Sequence, residues 1–160
     1  MITYLKGASL SDVKRELSRM LGEGTRNPQV RQLAELASKE QEDKVIAVFQ
    51  FVKKTFPYAP DPYEIELFIH PRRIAQDYFE GRIRQGDCDD LSLLTAAMLG
   101  SIGYQTRLVL VDSNLDNEID HALAQVYSEP LGEWLNLDVA SNNPIGWVIQ
   151  TRVIEYVNTS

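Results

Sequence analysis

Hydrophobic positions in the first half of the chain recur at helical spacing. Val13, Leu17 and Leu21 follow Ser9-x-x-Asp12, a pattern that caps a helix start. Gly22 and Gly24 are expected to end that helix. Asn27-Pro28 sets a capping residue before a proline at the first helical position, and Val30, Leu33, Ala34 and Ala37 continue as a second amphipathic helix. A third is expected from about Glu42 to Thr55, with Val45, Val48, Phe49, Val52 and Phe56 on its apolar stripe. The run Phe56-Pro57-Tyr58-Ala59-Pro60-Asp61-Pro62 can be neither helix nor central strand, because each proline removes a donor and restrains the residue before it. Pro71 opens a short helix to about Phe79. Asp87 to Ile102 reads as a buried helix with Leu91, Leu94, Ala97, Met98 and Ile102 inward, ended by Gly103.

Beyond Gly103 the period changes to two. Strands are expected at Tyr104–Asp112, Ile119–Ser128, Glu133–Val139 and Arg152–Val157. The short connection Glu129–Gly132 suits an antiparallel hairpin. Helices first and strands afterwards predict an α+β fold, with one antiparallel sheet of about four strands packed on the helices. The 160 residues suit a single domain, with residues 1–40 as a helical N-terminal extension of unknown role and about 45–147 as the core.

Composition narrows the partners. With 44% hydrophobic and 24% charged residues, the chain is an ordinary globular one. Its net charge of −7 repels phosphate backbones and anionic lipid, so neither nucleic acid nor membrane is an expected partner. No apolar run approaches the roughly 18 residues of a membrane span. Met1-Ile2-Thr3-Tyr4-Leu5-Lys6 lacks the pattern of a signal peptide, so a cytoplasmic location is expected. A single cysteine excludes an internal disulfide and raises the question of what the thiol does.

That cysteine, Cys88, lies in Gln85-Gly86-Asp87-Cys88-Asp89-Asp90-Leu91, where the buried helix is expected to begin. A thiol in the first turn meets the positive end of the helix dipole and free backbone N–H groups. Both favour thiolate, and the same N–H groups can hold an oxyanion. Three neighbouring acids oppose ionisation, so an imidazolium is needed to supply positive charge. Of the two histidines, His70 precedes Pro71 at a helix start, a structural position. His121 lies in a strand, sharing a face with Leu123 while Ala122 and Ala124 take the other. Asp138 shares a face with Trp134 and Asn136 on the next strand, and an aspartate in an apolar strand needs a partner. An aspartate accepting from one ring nitrogen fixes the tautomer and leaves the other nitrogen for the thiol. One cysteine, two dispersed histidines and no His-Glu-x-x-His argue against a zinc hydrolase.

Gly86-Asp87-Cys88-Asp89-Asp90-Leu91-Ser92-Leu93-Leu94, followed by Leu99-Gly100-Ser101-Ile102-Gly103-Tyr104, resembles the cysteine block of transglutaminase-like domains. Asp120-His121-Ala122 and Trp134-Leu135-Asn136-Leu137-Asp138 are similar to the histidine and aspartate blocks, and Phe51-Val52-Lys53 with Tyr58 to Pro62 to the segment ahead of them. The resemblance, over about Val45 to Trp147, implies a papain-like core and acyl transfer through a thioester. Cys88 would be the nucleophile, His121 the general base and acid, and Asp138 the orienting carboxylate. It implies a peptide or protein substrate and, for a compact bacterial member, a protease or amidase more than a crosslinking enzyme. The oxyanion donor in such domains often lies upstream of the cysteine, and Gln85 is the nearest side chain. No cofactor is required, but Asp87 and Asp89 match acids that bind calcium in some bacterial relatives; the alternative is that they cap the helix. The chain also resembles small stand-alone members from phages and prophages, which leaves open a virion-associated structural or adaptor module without catalysis. Oligomeric state and substrate are open.

Overall fold

In the computed structural model, residues 2–5, 9–60 and 66–159 are described. Asp61 and Pro62, the end of the proline-rich turn, lie outside them, as do Met1 and Lys6. Three helices come first after a short strand: β1 (Ile2–Leu5), α1 (Leu10–Thr25), α2 (Pro28–Ser38) and α3 (Lys44–Thr55). Then follow β2 (Glu66–Ile69), α4 (Pro71–Phe79) and α5 (Cys88–Ser101), and finally β3 (Thr106–Val111), β4 (His121–Ser128), β5 (Glu133–Leu137) and β6 (Ile154–Val157). The last four form an antiparallel sheet in the order β5-β4-β3-β6. This is the α+β arrangement that the change of period predicts. Among the described residues no helix is long and apolar enough to cross a membrane.

β1 and β2 were not expected. They pair with each other antiparallel, Ile2 opposite Ile69 and Leu5 opposite Glu66. Each is only four residues long, and their pairing spans more than sixty residues of sequence, so neither leaves a local hairpin signal. The N-terminal segment is therefore not wholly helical. Nor is it an appendage, because Leu17, Met20 and Leu21 of α1 and Val30, Leu33 and Ala34 of α2 share one core with α5 and the sheet.

The caps follow the sequence. Ser9 accepts from Asp12 N in a reciprocal box, Asn27 accepts from Gln29 N and Val30 N, and Asp43 accepts from Ile46 N. The end of α1 does not. It runs through Gly22 and Gly24 to Thr25. A Cβ on Gly24 would stand 3.0 Å from Ala97 Cβ and 3.1 Å from Pro71 Cγ. Gly24 serves a close approach to α5 and α4, not termination.

α5 crosses the centre of the fold. Every residue from Asp90 to Leu99 is buried, and the helix packs on the inner face of the sheet through Leu108, Leu110, Ala122, Ala124, Val126 and Leu137. Two of its carbonyls hold polar neighbours in place: Leu91 O accepts from Thr95 Oγ1 at 2.7 Å, and Ala96 O from Thr106 Oγ1 at 2.9 Å.

The segment leading to Cys88 is held at two places. Gly86 N donates to Pro57 O at 3.1 Å, and Gly86 O accepts from Ala59 N at 2.8 Å. Further back, the buried carboxylate of Asp77 accepts from Arg82 at 2.9 Å, from Arg73 at 3.3 Å and from Arg84 at close range, while Asp77 O accepts from Arg82 N at 2.8 Å. Burial pushes the Asp77 carboxyl up, but the Arg84 and Arg82 hydrogen bonds and the Arg84 and Arg73 charges outweigh it and hold it at about 2.

His70 behaves as the sequence predicts. It caps α4, its Nδ1 accepting from Arg72 N at 3.1 Å while Nε2 meets Glu23 Oε1 at 3.0 Å. Burial lowers its pKa below the usual histidine value, so the neutral ring is the form that caps.

Two outcomes are expected. Gly24→Ala, which would gain about 0.5–1 kcal/mol in an open helix, should instead lower stability by about 1–3 kcal/mol through overpacking against Ala97 and Pro71, measured by thermal melting. Asp77→Asn should lower stability by about 1.5–3 kcal/mol at neutral pH, the range for hydrogen bonds to charged groups. The sign with pH is fixed: the folded pKa is depressed, so the contribution of Asp77 is complete above about pH 4–5 and is lost as pH falls towards 2. Denaturant melts across that window should show wild type and Asp77→Asn converging at the acid end.

Candidate active site

The site begins with a helix start. Asp87 is the N-cap of α5: its Oδ1 accepts from Asp90 N at 3.1 Å, and Asp90 Oδ2 accepts from Asp87 N at 3.2 Å. Asp90 Oδ1 reaches further, accepting from Ile69 N of β2 at 2.8 Å. A Cβ on Gly86 would stand 2.8 Å from Asp90 Cβ. Glycine there gives room for the capping carboxylate. Cys88 is the first helical residue, half-buried and packed on the core.

The second strand of the sheet brings the histidine. His121 opens β4, opposite Val111. The loop before it is shaped by three aspartates: Asp112 accepts from Asp116 N and Asn117 N, Asp116 from Glu118 N, and Asp120 from Ser113 N and Asn114 N. These carboxylates lie within 4.8 Å of one another. Each is spent on backbone amides of its own loop, which aim the chain into β4.

The helix and the strand meet at Ala122. Its N–H donates to Cys88 Sγ, and its C=O accepts from Ser92 Oγ at 3.0 Å. The β4–β5 pairing stops at Ala124 and Leu137, so at Ala122 the polar groups of α5 take over from the strand ladder. Cys88 therefore sits beside the residue that follows His121.

The third residue arrives on the far side of the hairpin. Asp138, just past β5 and only 4% exposed, accepts through Oδ1 from His121 Nε2 at 2.9 Å. Its other oxygen accepts from Asn143 Nδ2 at 3.2 Å. Burial pushes the Asp138 carboxyl up, but hydrogen bonds from His121, Ser141 and Asn143, with the His121 charge, outweigh it and hold it below the usual carboxylate range. An ionised Asp138 keeps the Nε2–H tautomer of His121, leaving Nδ1 as the free base.

Electrostatics around the thiol run the other way. Burial pushes the Cys88 thiol up, Asp89, Asp87 and Asp138 push it further, and the Ala122 amide pulls it down. The sequence leads to the same expectation: the acids beside Cys88 oppose its ionisation.

The remaining sequence candidates separate. Gln85 lies exposed on the segment ahead of Cys88. Asp87 has its carboxylate in the cap, and no described carboxylate, histidine or thiol joins Asp87 and Asp89 in a group of three with metal-ligand spacing. Asn143, Ser141 and Ser92 escape sequence reasoning, because single polar residues in a loop or a buried helix carry no spacing signal. A cleft of about 900 Å³ lies at the other end of α5, lined by Gly103, Tyr104, Val126, Leu135 and Ile145 with Asp43 at its rim. None of Cys88, His121 and Asp138 lines it.

Comparison with known proteins bears on the fold. A protein assigned as a cysteine protease from Cytophaga hutchinsonii superposes with a TM-score of 0.57 at 14% identity, over 98% of this chain and 53% of its own. A protein assigned as a protease from Parabacteroides distasonis superposes with a TM-score of 0.53 at 15% identity, over 82% of this chain and 26% of its own. This chain thus spans about half of the one and a quarter of the other. No curated protein matches the sequence. The family match covers residues 29–139, beginning upstream of Val45 and including α2. On that match, which takes in more than half of its length, the chain belongs to the transglutaminase-like superfamily.

Proposed function

We propose that this protein is a cysteine-dependent acyl-transfer enzyme that cleaves peptide or amide bonds through a thioester. The observation that carries the reading is the hydrogen bond of 2.9 Å between His121 Nε2 and Asp138 Oδ1, on a strand whose next residue donates to Cys88. Each residue is weak evidence alone. Their convergence from a helix start, a strand start and a hairpin is harder to explain by packing.

In this mechanism His121 Nδ1 takes the thiol proton as Cys88 Sγ attacks the acyl carbon. The amides at the start of α5 face the oxygen that gains charge. The C–N bond then breaks, and the amine leaves with the proton from His121. Water, deprotonated by the same nitrogen, attacks the thioester; the C–S bond breaks and Cys88 recovers a proton. An amine in place of water would give transamidation. The protease assignments of the two structural neighbours favour hydrolysis.

A binding module that keeps the fold without the chemistry has one observation in its favour: burial and then Asp89 and Asp87 push the thiol up. The two readings differ in what His121 does to Cys88. With a single cysteine in the chain, iodoacetamide reports on it alone.

In an enzyme, labelling near neutral pH should be faster than that of glutathione, and His121→Ala should abolish the advantage. A rate equal to that of glutathione, unchanged by His121→Ala, would sink the catalytic reading. Incubation with a peptide library and an amine probe should give cleavage products, and His121→Ala or Asp138→Ala should lower turnover by about 10³–10⁴-fold. The double variant should be little worse than the worse single one, and multiplicative losses would show that the two act separately. Cys88→Ala should remove all covalent chemistry with an unchanged circular dichroism spectrum.

A further inference from the structure

Asp138 is held at both oxygens, and only one of its partners belongs to the proposed triad. Oδ1 meets His121 Nε2 at 2.9 Å. Oδ2 accepts from Asn143 Nδ2 at 3.2 Å, and the same amide lies 3.2 Å from Ser141 Oγ. The two amide protons of Asn143 can serve Asp138 and Ser141 together, so Ser141 braces the amide that holds the carboxylate. Ser141 also helps hold the Asp138 carboxyl below its usual range.

A carboxylate turns easily about its last torsion, which has a broad, two-fold profile. One hydrogen bond to a histidine leaves that rotation open, and the ring turns with it. The Asn143 amide on the other oxygen, itself braced by Ser141, removes the freedom. Asp138 is buried and Asn143 and Ser141 are half-buried, so solvent competes poorly with them.

We infer that Asn143 and Ser141 are positioning residues, which lock the Asp138 carboxylate and through it the orientation of the His121 ring toward Cys88. The inference rests on the proposed triad. Neither residue touches the reacting atoms; each acts through Asp138. The ionisable groups that bear on the pair are His121, Cys88 and, through Cys88, Asp87 and Asp89.

The test is the pH profile of Cys88 alkylation by iodoacetamide in the full chain, which needs no known substrate. The set is wild type, Asn143→Ala, Ser141→Ala, the double variant and His121→Ala, each with a thermal melt. Each single variant weakens one link of this brace and should slow labelling near neutral pH by several-fold. The double variant should slow it by about ten- to a hundredfold, the range for losing a charge-assisted hydrogen bond. The midpoint of the rise with pH should move upward in the same order, because a loosened Asp138 stabilises the His121 imidazolium less. A purely structural role would lower the melting temperature without moving the midpoint, and that result overturns the inference. So does a folded double variant with the wild-type profile. If the double variant does not fold, the single variants decide by the same two readouts. A wild-type profile indistinguishable from that of His121→Ala would instead sink the triad itself, and the inference with it.

Discussion

The peptide groups of Ala122 are gripped from one helix at two points. Cys88 takes its N–H, and Ser92, one turn further along α5, donates to its C=O. A buried hydrogen bond contributes only about 0.5–1.5 kcal/mol net, but leaving either group unmet would cost about 1–3 kcal/mol. The helix and the strand therefore cannot slide past each other without a penalty at this spot. His121 precedes Ala122, so its position relative to Cys88 is inherited from this grip. Because α5 is buried from Asp90 to Leu99, the core holds the other side of the same joint.

Charge at the helix start works against the chemistry proposed for it, and the reason is structural. Asp87 and Asp90 cap each other's backbone, and Asp90 also ties α5 to β2 through Ile69 N. They fix where the helix begins. Burial, and then the charges of Asp89 and of the capping Asp87, push the Cys88 thiol up. In the proposed mechanism a thiolate there needs a cation in contact, which would make reactivity conditional on His121 and so on Asp138. Capping and the proposed activation compete for one field, and in that mechanism the histidine would resolve the competition only when a carboxylate holds it.

What the sequence made legible follows from what is local. The caps at Ser9, Asn27 and Asp87, the two-residue alternation around His121 and Asp138, and the hairpin at Glu129–Gly132 are short-range patterns with one physical meaning each. Gly24 looked like a helix stop because glycine usually is one; its contact with Ala97 and Pro71 is a tertiary fact with no local trace. The β1–β2 pair was missed for the same reason, its partners lying far apart in the chain. At the site, the proposed triad could be read because its residue types and order are distinctive. Asn143, Ser141 and Ser92 are common polar residues, and only their contacts separate them from the rest of the surface.

The segment after Asp138 shows how the outer face of the sheet reaches the site. Val109, Val111 and Leu123 form a second small core there, covered by Ile149. Beside it, Arg107 lies between the rings of Trp134 and Tyr156, at 3.9 and 4.0 Å, and donates to Gln125. Gln125 in turn donates to Asn136 at 2.7 Å. Asn136 then binds the returning chain twice: its side chain donates to Trp147 O at 2.9 Å, and its carbonyl accepts from Gly146 N at 2.8 Å. Asn136 is two residues before Asp138, and Gly146 is three after Asn143. Between these fixed points the chain lays Asn143 back over the carboxylate. The outer face thus does more than close a surface: a ladder of polar and aromatic side chains across β6, β3, β4 and β5 anchors the loop that holds Asp138 from behind, while α5 holds His121 from the front.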